Sequence, residues 1–144
     1  MAVGLSLLPD QLDSFRDALN EKVAHQCGQQ LPEKTLQIDE ELDHRELNTS
    51  LLEALSTLEP FGQGNEEPVL GIKNVMITQI RPMGKSHLRF SLALSNGGSP
   101  VNGVAWNMIN RPPPENTPIQ VAGKFSWNTW NGRSSPRFTL IDWQ

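Results

Sequence analysis

From Val69 to the end of the chain, apolar residues recur at every second position, and that period demands a sheet. The clearest run starts at His87: Leu88, Phe90, Leu92 and Leu94 form one row, and His87, Arg89, Ser91 and Ala93 form the other. Successive side chains of a strand point to opposite faces, so one row is destined for a core and the other for solvent. The same reading predicts strands over about 69–81, 87–94, 101–108, 119–127 and 137–143. Turn residues separate them: Pro82-Met-Gly-Lys85, Asn96-Gly97-Gly98, the proline-rich run 110–116, and Asn128-Thr-Trp-Asn-Gly132. Five antiparallel strands with a break between the third and fourth fit a small Greek-key barrel of the OB type. An SH3-like barrel is the alternative, and the long first strand favours OB. The fold class is therefore mainly β, α+β overall.

The residues before the barrel read differently. Val3–Leu8 is a short apolar stretch that predicts a strand. Leu12, Phe15, Leu19 and Val23 then recur at helical spacing, with Asp10 and Asp13 early and Cys27-Gly28 as the stop. One strand and one helix bury no core alone, so residues 1–28 either pack on the barrel or are the tail of a preceding domain. Residues 29–68 read as an acidic linker. Within it, Leu36 and Ile38 suggest a short strand, and Asp39–Asp43 suggests a solvated loop. Asn48 or Thr49 can cap a helix carrying Leu51, Leu52, Leu55 and Leu58, which Pro60 ends. Phe61-Gly-Gln-Gly-Asn65 marks a tightly bent connection to the barrel domain, 69–144.

The net charge of −4 hides a division. Residues 1–70 hold 4 Lys+Arg against 14 Asp+Glu, and residues 71–144 hold 8 against 2. A basic half beside an acidic half is more asymmetry than chance gives, but it does not by itself name a partner. Cys27 is the only cysteine, so neither an internal disulfide nor a cysteine zinc site is available. No signal-peptide pattern opens the chain, and no apolar run reaches membrane-spanning length, so the expected location is the cytoplasm.

Catalytic patterns are missing. His25, His44 and His87 fall in three separate segments, and Asp43-His44 has no second cluster to complete a metal shell. There is no phosphate-binding loop before a helix, and no nucleophile signature. Binding is better supported. Grip on a single strand takes positive charge along a groove and aromatic faces for stacking. OB barrels use the face of their second and third strands and the loops joining strands one to two and four to five. Lys85 and His87 fall in or beside the first loop, and Arg89 on the solvent row of the second strand. Lys124 falls on the polar face of the fourth strand, Trp130 and Arg133 in the second loop, and Arg137 at the start of the last strand. Trp130 is the expected stacking platform. Phe90, Trp106, Phe125, Trp127 and Phe138 are expected in the core, and Trp143 as a lid or rim residue.

Several stretches resemble one family. Leu58-Glu-Pro-Phe-Gly-Gln-Gly-Asn65 followed by Pro68 resembles the linker motif of the bacterial RecJ family of single-strand-specific exonucleases. Asn128-Thr-Trp-Asn-Gly-Arg133 with Ile141-Asp142, and Val101-Asn-Gly-Val-Ala-Trp106-Asn-Met108, are similar to parts of its OB domain. Ala2-Val-Gly-Leu-Ser-Leu7 with Phe15 is similar to the end of its DHHA1 domain. The resemblance implies a 5′→3′ exonuclease of DNA recombination and repair. Its DHH catalytic domain, with manganese or magnesium, is expected before Met1. The family's Gly-Gly-His motif is not found here, so no catalytic residue carries over. No activity and no cofactor are expected of this chain, whose implied role is to hold single-stranded DNA. A single-strand-binding protein or a helicase is a further candidate partner. The competing reading is a protein-interaction module that docks a partner or the catalytic domain.

Overall fold

The computed structural model describes residues 4–28, 35–93 and 99–144. The chain divides into two compact units, residues 1–36 and 37–144. In the first, a 3-10 turn at Pro9–Gln11 leads into α1 (Leu12–Gln26). The predicted helix is there, and Gly28, at φ 62°, follows its end in the left-handed region that glycine tolerates. None of its residues is buried. The strand expected over Val3–Leu8 is not formed at residues 4–8, which have no strand partner; residues 1–3 lie outside the described residues.

The second unit is built on six strands: β1 (Glu40–Asp43), β2 (Leu70–Met83), β3 (His87–Ala93), β4 (Val101–Ala105), β5 (Pro118–Trp130) and β6 (Arg133–Trp143). The order β2-β3-β4-β6-β5 closes through a β2–β5 pairing into a five-stranded barrel, the predicted OB architecture. All its pairings are antiparallel except β4 with β6. The long β2 serves both sides of the barrel: Leu70–Met76 pairs with β5, and Met76–Met83 with β3. Register shifts at Ile72/Val75 and Thr78/Arg81 bend it, and Asn74 (φ 55°) and Gln79 (φ 54°) sit inside them. Such bulges coil a strand tightly enough for a small barrel to close.

Strand bounds depart from the sequence reading where turns are tighter than expected. β4 stops at Ala105, short of Met108, and β2 runs on to Met83. β5 and β6 extend to Trp130 and from Arg133, leaving only Asn131 (φ 49°) and Gly132 (φ 74°) as the turn. Two consecutive positive-φ residues make the tight hairpin turn that suits a twisted ribbon. The Asn96-Gly97-Gly98 turn lies outside the described residues.

The core follows the period-2 rows. Ile72, Val75, Ile77, Leu92 and Phe138 are essentially inaccessible, with Leu88, Phe90, Phe125 and Leu140 around them. Two glycines make room for rings. A Cβ on Gly103 would stand 2.1 Å from the Phe90 ring, and one on Gly123 2.3 Å from the Thr139 carbonyl and 2.6 Å from the Phe138 ring.

From Gln37 on, the acidic segment belongs to the same unit. Asp39–Asp43 is not a solvated loop throughout: Glu40–Asp43 forms β1, parallel to Leu70–Lys73 of β2. The strand expected at Leu36 and Ile38 thus falls two residues later. The backbone pairs with β2 while acidic side chains reach solvent, and Glu41 forms an ion pair with Lys73. Asp43 caps a short 3-10 turn (His44–Glu46): its carboxylate accepts from the Arg45 N–H at 3.0 Å, and Glu46 accepts from the Asp43 N–H at 2.7 Å. α2 (Thr49–Ser56) is capped by Asn48, whose side-chain oxygen accepts from the Leu51 N–H at 3.0 Å. Leu47 and Leu52 enter the barrel core. Leu58 lies past the end of the helix and is exposed. Asn65 then folds the connection back, its amide donating to the Leu58 carbonyl at 2.8 Å and the Pro60 carbonyl at 3.0 Å.

The side-chain bond from Arg45 holds the Asp43 carboxyl well below its usual 3.8, at about 2, with the Arg45 backbone N–H next in importance. A depressed carboxyl pKa contributes stability above the unfolded value and loses it as pH falls through the folded one. Asp43 should therefore titrate near pH 2 when its carboxyl carbon is followed by NMR, and Arg45→Ala should move that midpoint back toward 3.8.

Candidate nucleic-acid interface

The solvent rows of β2, β3, β4 and the β5–β6 hairpin meet in an open groove of about 570 Å³. Arg81, Arg89 and Arg137 line it, with Gln79, Asn102 and Asn128 among their polar neighbours, and no acid contributes to the lining. Sheet register explains the gathering. Arg81 lies opposite Arg89 across β2–β3, Arg89 opposite Val104 across β3–β4, and Asn102 opposite Arg137 across β4–β6. Like charges directly opposite each other destabilise a sheet, so this arrangement costs stability until an anion lies between them. Arg137 is held by a 2.6 Å bond from Nη1 to the Asn128 side-chain oxygen. Its Nε is buried and has no partner among the described residues.

The hairpin continues this face beyond the barrel. Asn128 opposes Ser135, and both line the groove. The next pair on the same face is Trp130 with Arg133. Trp130 is 74% exposed, at the tip.

At the other end, His87 and Trp106 form a second aromatic feature. Their rings meet edge to face at 4.8 Å, and His87 Nδ1 accepts from the Asn107 N–H at 3.0 Å. Trp106 is 48% exposed, which corrects its expected place in the core. The physical reason is parity. Val101, Gly103 and Ala105 point inward, so Trp106 follows Asn102 and Val104 on the outward row. Trp127 is likewise exposed, on the hairpin face opposite Asn128. Phe90, Phe125 and Phe138 are buried as expected, and Trp143 packs at the edge of the core beneath the Arg111 guanidinium, 5.1 Å from its ring.

Among the sequence-derived site residues, Arg89 and Arg137 line the groove, and Trp130 and Arg133 extend its face. His87 stands beside Trp106. Lys85 is exposed in the β2–β3 turn and does not line the groove. Lys124 faces elsewhere, 3.5 Å from the Glu67 carboxylate. Arg81 and Trp106 were missed as site residues. Counting alternation from Val101 finds Trp106, whereas the bulge between Thr78 and Arg81 hides Arg81 from such a count.

Among the described residues no three His, Cys, Asp or Glu side chains cluster to hold a metal ion, so these residues do not fit the metal of a nuclease centre. No helix among them is long and apolar enough to cross a membrane.

A closed five-stranded barrel with an acid-free arginine groove across β2, β3, β4 and β6 defines an OB-fold protein with a cationic face. The family model for the RecJ OB domain matches residues 38–142, and the chain belongs to that family. Curated relatives named single-stranded-DNA-specific exonuclease RecJ align along almost the whole chain. That of Dickeya dadantii is 29% identical over 97% of this chain and 24% of its own length. That of Bacillus subtilis is 22% identical over 99% and 18%, and that of Escherichia coli 28% over 94% and 24%. The chain thus spans a quarter or less of these relatives. The crystal structure of RecJ in complex with Mn2+ from Thermus thermophilus superposes with a TM-score of 0.65, at 24% identity, over 98% of this chain and 20% of that one.

Proposed function

We propose that this chain is a single-stranded-DNA-binding OB module that acts within a longer RecJ-type 5′→3′ exonuclease of DNA recombination and repair. The hydrolytic centre and its manganese or magnesium would be supplied by parts of that protein outside these residues. A cytoplasmic location follows from the same reading. A single-strand-binding protein or a helicase would be a partner of the whole enzyme.

The observation that carries the proposal is the groove itself. Three arginines converge with no neutralising acid, and exposed indoles stand at both ends, at Trp106 and Trp130. Phosphates would lie against the guanidiniums, and bases would stack on the indoles. Gln79, Asn102 and Asn128 offer amides to base edges without committing the site to one sequence.

The test is fluorescence anisotropy with labelled oligothymidine of about 20 nucleotides, enough for one OB footprint. Binding should be stronger than to duplex and should weaken steadily as salt rises, because phosphates shed counterions on contact with arginine. Affinity for duplex equal to that for the single strand would refute the proposal. Trp106→Ala and Trp130→Ala should each weaken binding by about 1–3 kcal/mol, the usual worth of one stacked base. Unchanged affinity in either variant removes that indole from the site.

A further inference from the structure

The β5–β6 hairpin has a second face, and its chemistry is the reverse of the first. Trp127, Thr129 and Ser134 of the hairpin meet Ser56 and Glu59, at the end of α2, around an open groove of about 460 Å³. A narrower cleft continues from it, walled by Leu55, Phe61 and Pro68. Trp127 shares the row of Thr129 and does not line the arginine groove. The surrounding segment is strongly acidic: residues 37–68 carry nine acids and one base, Arg45. Glu67 is engaged by Lys124, whereas Glu59 makes no ion pair among the described residues. Ser56 is the last residue of α2, so the negative end of that helix adds to the Glu59 charge.

We infer that this second face docks a basic, arginine-bearing segment of a partner protein. Charge complementarity selects the occupant. A guanidinium can lie flat on the Trp127 indole while its edge donates to the Glu59 carboxylate. The Glu59 carboxylate and the negative end of α2 disfavour DNA at the same place. The hairpin would therefore present a polyanion site on one face and a polycation site on the other. This inference does not depend on what the arginine groove binds.

The experiment uses the full chain and a short capped fluorescent peptide alternating arginine and leucine, with the glutamate–leucine peptide as control. Anisotropy should show binding of the arginine peptide alone, and excess oligothymidine should not displace it. Glu59→Gln should weaken it about tenfold, as loss of one charge-assisted contact does, and leave oligothymidine binding as it was. Trp127→Ala should weaken it similarly, and Glu59→Gln keeps the test decisive if the tryptophan variant folds poorly. Equal binding of the two peptides, unchanged affinity in Glu59→Gln, or displacement by oligothymidine would overturn the inference. So would a concentration-dependent dimer in sedimentation that Glu59→Gln dissolves, since the occupant would then be a second copy of this chain.

Discussion

Replacing both Arg89 and Arg137 with alanine should lower affinity for oligothymidine by about two to four orders of magnitude. A hydrogen bond to a charged group contributes about 1.5–3 kcal/mol, and two are lost together. The salt dependence should change with it: on single strands the slope of log K against log salt falls by about 0.7 for each phosphate contact removed, so about 1.4 for the pair. That second readout separates loss of phosphate contacts from general damage to the fold. The single Arg89→Ala variant is a useful companion, because Arg137 also holds Asn128. A slope equal to that of the unmodified chain would mean the two guanidiniums touch no phosphate, whatever happens to affinity.

The largest effect on stability is expected from Gly103→Ala. The added methyl would stand 2.1 Å from Cε2 of the Phe90 ring, closer than atoms can approach, so ring or strand must move. Phe90 and Gly103 are directly paired across β3–β4, at the centre of the barrel wall. Overpacking of this kind costs about 1–3 kcal/mol, which is a large share of a small domain's stability. Urea denaturation should show a lower midpoint at unchanged slope. A paired Phe90→Leu change should recover part of the loss by vacating the ring position. A variant as stable as the parent would show that the ring has room to withdraw.

The barrel was legible because its rows obey period 2 without exception between His87 and Ala93, and because Asn, Gly and Pro mark most of its turns. β1 was not legible. Four residues, three of them acidic, carry no apolar signature, and only the partner edge at Leu70–Lys73 makes them a strand. The bulges at Asn74 and Gln79 were also silent, since a shift of register leaves no mark on composition. At the candidate site, strand pattern and charge brought forward Arg89 and Arg137, which line the groove. Charge could not separate Lys124 from them, because the acid that engages Lys124 sits 57 positions away at Glu67. Trp106 was hidden by its size, which suits a core, although its position in the alternation already placed it outside.

The hairpin carries one more consequence. Residues 127–136 pair only with each other among the described residues, beyond the reach of β2 and β4, with a Thr129–Ser134 hydroxyl bond of 2.8 Å near the tip. A two-stranded ribbon of this kind is marginal by itself and gains rigidity from whatever it touches. Capture by its tip therefore carries an ordering penalty: the heat released should be large and the entropy change opposed to it. Stiffening by a ligand on one face would also lower that penalty for a ligand on the other, so the two would favour each other's binding without sharing an atom.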